Sequence, residues 1–143
     1  MNNITRTEIS AALAAVAGVL SALLGGWDRA AYVLTLFIII DYITGCAAAV
    51  RGKRMSSSAG FVGLLKKATI FLVVIVAVQL DGIAGTNQFI RTSTISFFIC
   101  NEGISILENA SEIGVPLPRI LKDTLIKLRE KQGGDDDDTE ATK

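Results

Sequence analysis

A run of about twenty apolar residues, 30–50, with Asp41 at its centre constrains this chain more than any other feature. A helix rises about 1.5 Å per residue, so the run reaches across a hydrocarbon core of roughly 30 Å. A carboxylate at that depth costs on the order of 2.5–3.5 kcal/mol on insertion scales. Asp41 is therefore expected to face protein or water and not lipid. Three more apolar stretches accompany it, at 9–24, 68–80 (extendable back to 64) and 89–107. The expected fold is all-α: an integral membrane protein of about four transmembrane helices, with three as the alternative count.

Half of the 143 residues are hydrophobic, which is high for a soluble domain of this size. The net charge of zero conceals an asymmetry: without the tail acids (Asp135, Asp136, Asp137, Asp138, Glu140) and Lys143, 13 basic residues face 9 acidic ones. Both cysteines, Cys46 and Cys100, fall in apolar segments and read as packing thiols. With no histidine and no Cys-x-x-Cys, neither a metal nor a cofactor is expected. The first apolar run follows a weakly charged segment holding Arg6 and Glu8, and reads as a membrane segment and not a cleaved leader.

The expected organisation is a transmembrane bundle over 1–110, with spans near 9–24, 30–50, 64–80 and 89–107. A cytoplasmic amphipathic helix follows over 111–132, then a disordered acidic tail over 133–143. Arg51, Lys53, Arg54, Lys66 and Lys67 are taken as one basic loop after the second span, which the positive-inside rule puts in the cytoplasm. Four spans then place both termini there, with Trp27 as an interfacial anchor outside. Arg119, Lys122, Lys127 and Arg129 agree with that side. Gly114, Pro116 and Pro118 end the last span, and Leu117, Leu121, Leu125 and Leu128 form an apolar stripe able to lie on the inner leaflet. Gly133 and Gly134 close this segment.

Small residues recur every fourth position at Ser10, Ala14, Gly18 and Ala22, either as a close-approach face or as the incidental spacing of an alanine-rich helix. Asp41, Gly45 and Ala49 share that spacing, where a carboxylate must also be hidden. In the fourth span, Asn101 and Glu102 lie well inside the apolar run. Counted from the outer side, Asp41 and Glu102 sit at roughly 17 and 20 Å, nearly one level. Two like charges side by side in low dielectric repel, so at least one is expected to be neutral. Such a pair either fixes helix packing or lines a polar passage. Asp41, Gly45, Asn101, Glu102 and Gly18 are the candidate oligomer or pore residues.

In order, the pieces of 40–129 resemble the toxin-secretion/phage-lysis holin family. They are Asp41 with Gly45, a basic turn, Ser57-Ser58-Ala59-Gly60 leading through Gly63 to Lys66-Lys67, and Asn101-Glu102 with Ser105-Ile106-Leu107-Glu108-Asn109. The set ends at Gly114, Pro116 and Pro118. Asn101 stands where relatives often carry an aromatic residue. The resemblance implies a protein that accumulates in the bacterial cytoplasmic membrane, assembles with itself among the lipids and opens lesions. An endolysin then reaches the cell wall without needing direct contact; some relatives release toxins instead. No nucleic-acid partner is expected. Nor is an enzyme: no nucleophile–base pair or metal cluster is legible, and Gly60-x-x-Gly63 before Lys66 lacks the spacing of a phosphate-binding loop. Two alternatives stay open at this stage, a small four-helix proton-coupled transporter and a membrane adaptor.

Overall fold

Residues at alternating spacings of three and four lie along one stripe of a helix, and chains carrying such stripes pair side by side. Three segments here carry one. The computed structural model describes residues 3–121, 123, 124, 126 and 127, and it is helical throughout its long elements: α1 (Asn3–Leu23), α2 (Arg29–Arg51), α3 (Ser57–Ala84) and α4 (Phe89–Ile113). In α2 the buried stripe is Ala31, Leu34, Ile38, Asp41 and Ala48; in α3 it is Ile70, Val74, Ala77 and Asp81. In α4 it begins at Arg91 and Ile95 and reaches Glu102. Leu34, Ile38, Ile70, Val74 and Ile95 join Leu24 in one core, with Phe71, Ile75, Phe98 and Ile99 packed against it.

Ion pairs fix the directions. Asp28, before α2, meets Arg91 at the start of α4, while Arg54, after α2, meets Glu112 at the end of α4. Helices α2 and α4 are therefore parallel and α3 runs against both. α4 packs along α2 and α3, whereas α2 and α3 touch each other little. The last turns of α3 and α4 end on Gly85 (φ 66°) and Gly114 (φ 94°), in the left-handed region that glycine enters without strain.

α1 stands apart. Every residue from 7 to 20 is exposed, including Leu13, Val16 and Val19. Its small-residue face therefore packs on nothing within the subunit, and no atom lies within 4 Å of a Cβ built on Gly18.

By length and composition α2 and α3 are apolar enough to cross a membrane, and 7–23 forms a shorter apolar helix. The chain is an all-α membrane protein. Helix α4, at 25 residues, is long enough to span, but Arg91, Asn101 and Glu102 dilute its apolar character. Two boundaries differ from expectation. α3 begins at Ser57, because Ser56 caps it by accepting from the Ala59 N–H at 3.2 Å, so Lys66 and Lys67 are helical and not loop residues. α4 continues past 107 to Ile113, and helix resumes at Arg119 beyond the proline break. Lys122, Leu125, Leu128, Arg129, Gly133, Gly134 and the acidic tail lie outside the described residues.

Candidate functional site

Lys67 falls three residues before Ile70, on the same stripe of α3 that faces α2 and α4. Its ammonium sits between two carboxylates. Nζ lies 2.6 Å from Asp41 Oδ2 and is also hydrogen-bonded to Glu102 Oε2. Asp41 and Glu102 are only 6% and 5% exposed, so three helices meet at a buried ion cluster. Asn109, seven residues beyond Glu102 and hence back on its stripe, donates from Nδ2 to Asp41 Oδ1 at 3.0 Å and to Thr44 Oγ1 at 3.2 Å. Gly45 lies beside it: a Cβ there would meet Asn109 Nδ2 at 3.5 Å, an ordinary contact.

The cluster corrects the expected basic loop. Lys67 is not one of the exposed cations of that loop but the counter-charge of the two acids. It offsets one of their two negative charges. With all three groups ionised one negative charge remains, and one proton neutralises the set. Arg51, Lys53, Arg54 and Lys66 are exposed as expected. Asn101 is exposed too: one residue along a helix turns about 100°, which takes it off the stripe that buries Glu102.

A second polar knot closes the other end. Arg91, 1% exposed, donates from Nε to the Leu24 carbonyl at 2.5 Å and from Nη2 to the Gly26 carbonyl at 3.0 Å. Its Nη1 meets Asp28 Oδ2 at 2.7 Å. Asp28 also caps α2 by accepting from the Ala31 N–H at 2.9 Å. The hydrogen bond from Arg91 holds the Asp28 carboxyl below its ordinary pKa, against a smaller upward push from burial. Asp81 reaches across from the end of α3 and accepts from the N–H groups of Ile90 (3.0 Å) and Arg91 (2.7 Å), and from the Thr86 hydroxyl. It thereby caps α4, whose own N-cap residue, Gln88, makes no side-chain cap. Sequence reasoning passed over Arg91 and Asp81, yet both continue the three-and-four spacing of their helices.

The profile of the bacteriophage holin family matches residues 18–130, which takes in both polar knots and the turn between α2 and α3. The chain belongs to the bacteriophage holin family. Of the readings left open by the sequence, this match selects the holin. A probable holin of Bacillus phage phi105 is 42% identical over 87 residues, covering 61% of this chain and 64% of its own length. An uncharacterised 14.9 kDa protein of Clostridium perfringens is 44% identical over 110 residues, 76% of this chain and 83% of the relative. An uncharacterised protein of Listeria monocytogenes is 39% identical over 115 residues, 80% of this chain and 82% of the relative. No solved structure matches the chain. The holin family is not known for enzymatic chemistry, and among the described residues no group of acids and cysteines is arranged to hold a metal ion.

Proposed function

We propose that this holin is a four-span protein of the bacterial cytoplasmic membrane, with both termini and the 51–56 turn inside. Copies assemble and open lesions through which an endolysin reaches the cell wall. Family membership over 18–130 is the observation that carries this reading. The geometry adds a physical role for the ion cluster. Lesions need surfaces that tolerate water, and Asp41, Lys67 and Glu102 supply polar groups between the helices of the bundle. In the isolated subunit they satisfy one another and hold α2, α3 and α4 together. In the assembled state the same groups exchange partners or meet water. Release of a toxin in place of endolysin access is the same physical act with another cargo.

Inducible expression in a bacterial host tests the proposal. With an endolysin co-expressed, turbidity is expected to collapse abruptly and cytoplasmic protein to appear in the medium. A Ser57→Cys variant should stay shielded from an external, impermeant thiol reagent until that moment. A change in drug tolerance without lysis would instead point to transport, and labelling of Ser57→Cys before lysis would overturn the topology.

A further inference from the structure

Helix α4 holds α2 and α3 from one side, and on the other side they splay toward the 51–56 turn. The gap is an open groove of about 640 Å³ whose walls include Gly45, Cys46 and Ala49 from α2 and Gly60, Gly63 and Leu64 from α3. That volume lies within the roughly 300–1,000 Å³ range of pockets for drug-sized molecules. Small residues form part of both walls, and Tyr42, Met55 and Phe61 complete the lining. A Cβ on Gly60 would come no nearer than 3.9 Å to Tyr42 Oη, and one on Gly63 no nearer than 4.0 Å to Tyr42 Cε2. Its floor is the Lys67–Asp41 pair, and its mouth carries Arg54, Met55, Ser56 and Ser57.

Charge decides the occupant. Arg54 lines the mouth, with Lys53 its exposed neighbour in sequence, and the acids beside the groove, Asp41 and Glu112, are each already paired with a lining cation, Lys67 and Arg54. At the mouth, Arg54 is held by Glu112 at 2.8 Å in a pair whose side chains are 68% and 53% exposed. Such a pair holds little energy and yields readily to a better-placed anion. A slot between α2 and α3 with largely apolar walls above the ion pair, and with Arg54 at its mouth, fits a molecule with an apolar tail and an anionic head. The geometry points to the α2–α3 groove as a binding site for one anionic phospholipid, an acyl chain between Gly45/Ala49 and Gly60/Gly63 and the phosphate at Arg54 and Lys53. The inference rests on the proposed placement of the 51–56 turn at the membrane surface, but is read without any lysis. A chain that fails to lyse cells therefore leaves it standing, and its failure leaves the lysis reading standing.

The test is native mass spectrometry of the full chain released from mild detergent, mixed with phosphatidylglycerol and phosphatidylcholine of identical acyl chains. The wild type should retain one phosphatidylglycerol, several-fold in preference to phosphatidylcholine. Gly60→Leu grows a side chain into the groove at a position that accepts a Cβ, and should lose most of the retained lipid at unchanged helix content. Ala49→Leu does the same from the facing wall and serves if Gly60→Leu does not fold. Arg54→Gln with Lys53→Gln should bring the preference between the two lipids close to one. Glu112→Gln frees Arg54 and should raise it. Equal retention of both lipids by the wild type would overturn the proposal. So would leucine variants that keep their phosphatidylglycerol, or that lose a cross-linked dimer and no lipid, since the groove would then belong to a second copy.

Discussion

Lys67 is one cation against two buried acids. Removing it leaves Asp41 and Glu102 buried side by side with no counter-charge, and breaking a buried pair in this way costs about 3–5 kcal/mol. Removing one acid has the opposite character, because it leaves a neutral Lys–carboxylate pair. Lys67→Met is therefore expected to cost about 3 kcal/mol or more, and Glu102→Gln less than about 1 kcal/mol. Thermal unfolding in detergent followed by circular dichroism checks the order, and equal effects would show that charge balance is not what the cluster provides. Asp28 gives a second test, now against pH. Its carboxyl is held below the ordinary value by Arg91, so the folded chain takes up that proton at lower pH than the unfolded chain does. The stabilisation is complete above the ordinary carboxylate value and is lost as pH falls through the depressed one. Asp28→Asn keeps a good N-cap and loses the ion pair. The wild type should unfold at a higher temperature than this variant at neutral pH, and the gap should close in acid. At this scale the sequence revealed the two carboxylates and their common level. It did not reveal Lys67 as their partner, because a Lys-Lys pair after a polar turn reads as loop charge unless the register Lys67, Ile70, Val74, Ala77, Asp81 is followed backwards.

The helix ends show how the elements hold each other. Arg91 belongs to α4 yet fills the acceptors of the α1–α2 turn, and Asp81 belongs to α3 yet caps α4. The α1–α2 turn and the start of α4 are thus each completed by another helix. Gly25 (φ 76°) and Gly26 (φ 110°) take the turn through the left-handed region, where an L-residue costs roughly 1–2 kcal/mol. Only Gly25 also lies under Arg91: a Cβ there would sit 3.0 Å from its Cδ and Nε, whereas nothing approaches one on Gly26 within 4 Å. Gly25→Ala should therefore destabilise by more than Gly26→Ala, about 1 kcal/mol for the latter and clearly above it for the former. Chemical unfolding of both variants beside the wild type checks this, and a reversed order would mean that Arg91 does not clamp the turn. The apolar runs located α2 almost to the residue, and the start of α4, because twenty-odd apolar residues bounded by charges leave little choice. The early start of α3 was hidden by Ser57–Gly63, whose small and polar residues resemble a loop until Ser56 is recognised as the cap.

At the scale of the whole molecule, one helix and three do different things. The core of α2, α3 and α4 closes its polar groups internally, while α1 is exposed from residue 7 to residue 20 and is held at its C-terminal end, where Leu24 is buried and Arg91 grips the turn. A membrane helix without partners is under no pressure to pack, since lipid is as apolar as leucine, so close contact must come from shape, as on a face of Ser10, Ala14, Gly18 and Ala22. That face is available to other copies and is not spent within the subunit. Deleting 3–20 while keeping 21–28 should therefore leave the three-helix core folded, with its thermal midpoint within a few degrees of the wild type. The cations of the 51–54 turn should still hold that turn in the cytoplasm, which moves only the new N-terminus outside. Assembly and lysis should fail all the same, because the small-residue face that packs on nothing within the subunit has gone. Expression of the truncated chain, with membrane insertion and protein level matched to the wild type, separates the two roles. Lysis on the normal schedule would return the assembly contacts to α2–α4. Loss of the folded core would make α1 part of the subunit fold, and its exposure no guide to how copies meet.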